Sequence, residues 1–300
     1  MARPIYPDPS VFVYGIDRMF RLAFLIAFLG LVSCHKPSSV SSSQSERPIR
    51  IVSLDFCADQ YLLKLADREQ ILALSPDAER EFSFMRTEAK GLPTVRPLAE
   101  DVLILKPDLV VRSYGGGPNA GAMFERAGIP VLQVGWANTV HGEDVGSIPS
   151  VIIGVANGLG QSERGRQLAQ EFTTRLSQLN DQASGKTALY MTPTGVTTGG
   201  KTMTHEMIEA AGLTNFMDQP GWHSLPLERL AYERPEMVAT AYYDAKTNHE
   251  NVWSPARHPI AKRELTETPR VDLEGAWLSC GGWFILEAIE TLAERAENDD

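Results

Sequence analysis

One short element is written twice in this chain, and it constrains the fold more than any other feature. Leu98–Val110 reads LAEDVLILKPDLV, and Pro226–Val238, 128 positions later, reads PLERLAYERPEMV. Superposed, Glu100 falls on Glu228, Lys106 on Arg234, Pro107 on Pro235, Asp108 on Glu236 and Val110 on Val238. Each copy predicts a short helix, stopped by a proline that lacks an N–H and forces its predecessor out of helical geometry, then an apolar strand. Such a unit is common in α/β proteins, so coincidence is the competing explanation. As a duplication it predicts two related lobes, each with a glutamate at a matching helix start.

The rest of the body supports that division. Ile49–Leu54 is a β-branched run that predicts a buried strand, and Ala58–Ala66 has helical spacing, with Tyr61, Leu62 and Leu65 on one face. Further strands are expected at Gln70–Leu74, Asp108–Arg112 and Pro130–Val134, with a helix at Ala120–Ala127 and an irregular charged stretch at Glu79–Lys90. Residues 147–182 are predominantly helical, with a break expected at Gly158–Gly160 and an apolar stripe of Leu168, Phe172, Leu176 and Leu179. Alternation then resumes, with a strand at Thr187–Met191, a helix at Met203–Ala211, the second repeat, a strand at Arg270–Leu273 and a last helix at Trp283–Ala296. The expectation is an α/β protein with an N-terminal lobe at 49–146, a single long interlobe helix at 147–182 and a C-terminal lobe at 183–300.

The N-terminus carries an address. Met19-Phe20-Arg21 precedes an apolar run, Leu22–Leu31, and then Leu-Val-Ser-Cys34. A basic start, a short apolar run and small residues make a secretory signal over 1–33, with Met19 an alternative start; a membrane span needs roughly 20 apolar residues. Leu-Val-Ser-Cys resembles the bacterial lipobox, whose cysteine is lipidated, so Cys34 is expected to become the mature, acylated N-terminus. Residues 34–48 are polar and serine-rich and predict a flexible tether.

Several function classes are disfavoured. A formal net charge of -10 argues against nucleic acid as a partner, because phosphate binding needs clustered Lys and Arg. The glycine clusters at 115–117 and 199–200 lack phosphate-loop spacing, no GxSxG occurs, and the six histidines form no HExxH pair, so neither a cofactor nor a metal site is expected. With Cys34 lipidated, Cys57 and Cys280 remain in an oxidising compartment. Both are expected at carboxyl ends of strands, where α/β sheets bind ligands. A disulfide, thiols or thiolates at the cleft, and inert buried cysteines are therefore all open. Trp136, Trp222, Trp277 and Trp283 fall in expected loops or helix starts, where they either cover the core or stack on a bulky ligand.

With these residues assembled, the chain over about 49–297 resembles the substrate-binding proteins of ABC importers for cobalamin, haem and iron–siderophore complexes. The resemblance rests on the order and spacing of Arg50–Leu54, Lys106–Val111, Ala127–Val131 and the helical segment ending near Gln182. It implies two Rossmann-like lobes joined by one long helix and a non-enzymatic, monomeric receptor, periplasmic or in the cell envelope and lipid-anchored. It further implies a permease and an ATPase as partners. In that family a glutamate on each lobe engages permease arginines, and Glu100 and Glu228 stand at the matching positions. Trp222, six residues before Glu228, matches a ligand-stacking tryptophan of the cobalamin binders, whereas Arg96 and Thr197 replace two of their aromatic residues.

The resemblance also bears on ligand chemistry. Arg86, Arg96 and Arg112 would suit carboxylates, catecholates or haem propionates, and Tyr114 would offer a phenolate to haem iron. SLDFCADQ with WLSCGG is similar to a subgroup carrying a paired cysteine. The expected ligand contacts are thus Trp222, Arg96, Thr197, Trp277, Cys280, Cys57 and Tyr114. The alternative is a two-lobed chelatase or a thiol-dependent catalyst using Cys280, which would need an activating base that the local sequence does not offer.

Overall fold

The computed structural model describes residues 47–179, 184–242 and 254–298. Cys34, the expected leader and most of the expected tether lie outside them.

The first lobe contains β1 (Ile51–Ser53), α1 (Phe56–Leu65), β2 (Ile71–Ala73), α2 (Ala99–Ile104), β3 (Leu109–Arg112), α3 (Ala120–Arg126) and β4 (Val131–Gln133). Its four strands are parallel, in the order β2-β1-β3-β4. Two helices follow, α4 (Ile148–Gly158) and α5 (Ser162–Leu179). The second lobe contains β5 (Thr187–Met191), β6 (Val196–Thr198), α6 (Met203–Ala210), β7 (Thr214–Asn215), β8 (Trp222–Ser224), α7 (Leu227–Leu230) and β9 (Met237–Tyr242). It ends with α8 (Pro259–Glu267), β10 (Arg270–Glu274), α9 (Gly275–Leu278) and α10 (Ile285–Asn298). Its main sheet, also parallel, has the order β10-β9-β5-β7.

Read from the other edge, that order is β7-β5-β9-β10, the first sheet's order strand for strand. The repeated element occupies the same slot in both, because α2 feeds β3 and α7 feeds β9. Its acidic residue has the same task in both copies. Asp108 Oδ2 accepts from the Ile49 N–H at 3.2 Å, and Glu236 Oε2 accepts from the Thr187 N–H at 2.8 Å, each at the start of the lobe's first strand. Each short helix also has its terminal carbonyls covered by an arginine. Arg50 donates to Leu105 O and Lys106 O, and Arg263 donates to Leu230 O. The second lobe adds a two-stranded antiparallel sheet, β6–β8, whose strands are separated in sequence by α6 and β7; among the described residues the first lobe has no equivalent.

The helical stretch expected over 147–182 is two helices, divided where the sequence places a break. The chain turns at Leu159–Gln161, where Gly160 takes a φ of 68°. Helix α4 packs on α1 and β4 and belongs with the first lobe; α5 alone runs on toward the second. The two helices pack closely because Gly165 has no side chain: a Cβ there would lie 2.3 Å from Ala156 Cβ. Near its start α5 is held to the first lobe by Arg164, which donates to Leu65 O at 2.7 Å and pairs with Asp67 at 2.5 Å. Toward its end Arg175 pairs with Glu290 at 2.7 Å and Glu287 at 3.1 Å on α10.

One hydrophobic core runs through both lobes, taking in Tyr61 and Leu62 of α1, Ile152 of α4, Phe172 of α5, and Trp283, Phe284 and Ile289 around α10. Burial of such side chains is worth about 1.5–3 kcal/mol each.

Candidate functional site

The carboxyl ends of the two sheets meet. Cys57, just beyond β1, is bonded to Cys280, just beyond β10, in a disulfide with a Cα–Cα separation of 5.5 Å. Close by, Arg86 reaches Glu274, the last residue of β10, at 3.5 Å. Loops following strands from both lobes therefore form the candidate site, as expected for α/β sheets.

On the first lobe the site is organised by Asp55, which the sequence reading missed. This carboxylate, 3% exposed, caps α1 by accepting from the Ala58 N–H at 3.0 Å. Its other oxygen accepts from the N–H groups of Ser113, Tyr114 and Gly115 at 2.7, 3.0 and 2.8 Å. One buried charge thus locks the loop after β3 onto the end of β1, through bonds worth about 1.5–3 kcal/mol each. The loop fits because residue 115 is glycine: a Cβ there would lie 2.3 Å from Leu54 O. An aspartate just before a helical apolar run is a readable cap signal. Its three bonds to a distant loop have no local signature.

Three partly exposed rings stand on this base. Phe56 meets Phe82 edge-on at 4.7 Å and Tyr114 at 6.2 Å, with the Arg80 guanidinium 5.8 Å from the Phe82 ring. Phe56 and Phe82 were not anticipated as site residues. On the second lobe Trp222 is 54% exposed and rests edge-on against buried Tyr190 at 6.2 Å. Trp222 opens strand β8 rather than lying in a loop, and Trp277 is half-buried on α9. Trp136 is exposed in the loop after β4. Trp283 is core, packed edge-on against Tyr61 at 5.2 Å. Among the described residues no ring contact links Tyr114 to Trp222 or Trp277.

Several expected contacts are corrected. Thr197 is 0% exposed, and its Oγ1 is buried with no hydrogen-bond partner among the described residues. Cys57 and Cys280 are joined and buried, which removes both thiolate ligation and a Cys280 nucleophile. The three arginines are already engaged. Arg96 forks onto Asp101 at 2.7 and 3.2 Å, Arg86 holds Glu274, and Arg112 donates to Tyr114 O at 3.1 Å. Burial, then the carboxylates of Asp55, Asp77 and Asp59, push the pKa of the Tyr114 phenol upward.

Glu100 and Glu228 are exposed in the first turns of α2 and α7, and neither has a salt bridge or side-chain hydrogen bond among the described residues. Their charged neighbours do: Asp101 holds Arg96, and Arg229 holds Glu233 at 2.7 Å. Beside Glu228 a depression of about 590 Å³ is walled by Met217, His223, Leu225, Pro226 and Arg229.

No protein-family model matches this chain, and no curated protein matches it by sequence. Its structure is similar to several solved ones. The periplasmic heme-binding protein RhuT from Roseiflexus sp. RS-1, in apo form, is 20% identical over 82% of this chain and 98% of that one, with a TM-score of 0.62. The periplasmic vitamin B12 binding protein BtuF of Vibrio cholerae is 19% identical over 84% of this chain and 98% of that one, with a TM-score of 0.58. A possible iron-binding, periplasmic solute-binding protein from Staphylococcus epidermidis is 16% identical over 83% of this chain and 99% of that one, with a TM-score of 0.63. The chain has the two-lobed α/β fold of these proteins.

Proposed function

We propose that the protein is the solute-binding component of an ABC importer, exported and tethered to the membrane through Cys34. In this reading it captures a corrinoid or metal chelate between its lobes and delivers it to a permease, with no chemical step. The observation that carries the reading is the pair Glu100 and Glu228. They occupy equivalent positions in lobes of identical strand order, both are exposed, and both lack partners among the described residues while adjacent charges are paired. A helix start tolerates an acidic residue for ~0.3–1 kcal/mol of dipole stabilisation, but that does not require the same residue in both copies. The similarity to binding proteins for heme, vitamin B12 and iron complexes supports the ligand class. The bridged Cys280 leaves the thiol-catalyst alternative without a nucleophile.

Within that class, the site favours a ligand presenting apolar faces to Phe56, Phe82, Tyr114 and Trp222. Anionic groups would have to displace Asp101 from Arg96 or Glu274 from Arg86, whereas Arg112 is bonded only to the Tyr114 carbonyl and its buried Nε has no partner among the described residues. The test is uptake by cells carrying Glu100→Arg/Glu228→Arg, alongside titration of the purified variant with cyanocobalamin, haemin and a ferric hydroxamate. The expected result is transport lost, with the affinity for whichever compound binds the wild type unchanged. Transport at the wild-type rate would refute the docking role, and a large fall in affinity would place the glutamates in the pocket instead.

A further inference from the structure

The two lobes are linked covalently in two places. One link is the main chain through α5, anchored to the first lobe by Arg164 and to α10 by Arg175. The other is the Cys57–Cys280 disulfide, which joins residues 223 positions apart. Cys57 opens α1, which packs on β1 and β3; Cys280 precedes α10, which packs on β10 and α6. The bridge therefore crosses from lobe to lobe rather than bracing one of them. We infer that this disulfide is an interlobe staple that sets the spacing of the lobes at one edge of the cleft before any ligand arrives.

The surrounding packing reinforces it. Phe84, from the first lobe, stacks on Phe284 at 4.8 Å and meets Trp283 at 6.5 Å. The loop carrying Phe84 is held by Gln60, 1% exposed, whose amide donates to Ser83 Oγ at 2.8 Å and accepts from the Met85 N–H at 2.7 Å. On another segment, Glu206 of α6 accepts from the Val140 N–H at 2.7 Å. With α5 and the staple both fixed, any relative movement of the lobes is restricted to rotation about the line through them. Oxidation of the two thiols, with two protons and two electrons passed to a disulfide-exchanging oxidoreductase, occurs in an export compartment and not in the cytosol. The chain thus acquires its lobe spacing only after leaving the cytosol.

The experiment needs no ligand, so its failure would leave the transport reading untouched. Encoded, non-cysteine spin labels are placed at Glu125 of α3 and Lys262 of α8, both exposed, and the interlabel distance is measured by dipolar spectroscopy. The oxidised protein is expected to give one narrow distribution. Cys57→Ser/Cys280→Ser, and folded wild type reduced and alkylated, are expected to give a shifted or broadened one at unchanged far-UV circular dichroism. Superimposable distributions with and without the bridge would overturn the inference. So would global unfolding of both unbridged forms, since the disulfide would then hold the core together rather than the lobe spacing.

Discussion

Asp55 and Asp59 lie four residues apart at the start of α1, both buried, and their surroundings treat them differently. Asp55 collects four backbone N–H groups. Asp59 is 0% exposed and accepts from the Ser75 N–H at 3.1 Å and the Ser75 hydroxyl at 2.5 Å. Burial pushes its pKa up to about 7 from 3.8, outweighing the hydrogen bonds from Ser53 and Ser75, and the nearby Asp55 charge adds to the rise. Because the folded-state value is the higher one, the folded protein keeps this proton when the unfolded chain has lost it. Its stabilising contribution is complete below about pH 4 and declines as pH rises to about 7. Asp59→Asn is expected to flatten that decline and to stabilise the protein at pH 8, by at most roughly 4 kcal/mol. Urea denaturation between pH 4 and 8 measures it, and parallel curves for the two proteins would contradict the assignment.

At the scale of elements, α4 and α5 fit closely against each other. Gly165→Ala sets a methyl 2.3 Å from Ala156 Cβ, in an interface whose nearest neighbours are backbone atoms of Ile152 and Ile153. The expected cost is about 1–3 kcal/mol, read as a lower melting temperature, with Gly154→Ala as the control because a Cβ there meets nothing within 4 Å. Equal melting temperatures would show that the helices separate without penalty. Sequence legibility also differs by element. Strands β1, β3, β5 and β9 were readable because each is a run of apolar residues covered on both faces. The β6–β8 pair was not, because VTT and WHS are short, polar and flanked by glycine, and α6 and β7 separate them. Thr197 was expected at the ligand only from the resemblance, at a position where cobalamin binders carry an aromatic ring, and its side chain is buried. The cysteine pairing stayed open for a related reason, since contact across 223 positions depends on how two lobes pack and leaves no local trace.

For the whole molecule, the proposed attachment to a membrane is through Cys34; no helix among the described residues is long and apolar enough to cross a membrane. Cys34→Ala is expected to move the protein from membrane pellets to the soluble fraction with its fold and disulfide intact. Retention in the pellet would sink the lipobox reading. The lobes also differ in one respect that matters once the docking proposal is adopted. Their sheets share a strand order, so a partner gripping only Glu100 and Glu228 would meet nearly the same surface after the receptor was turned end for end. The antiparallel pair β6–β8 exists on one lobe only among the described residues, and β8 ends three residues before the helix that carries Glu228. With Trp222 and the depression beside it, this pair gives the receptor a front and a back. It would therefore act as a key for orientation, allowing a partner to distinguish the two ends of a duplicated molecule.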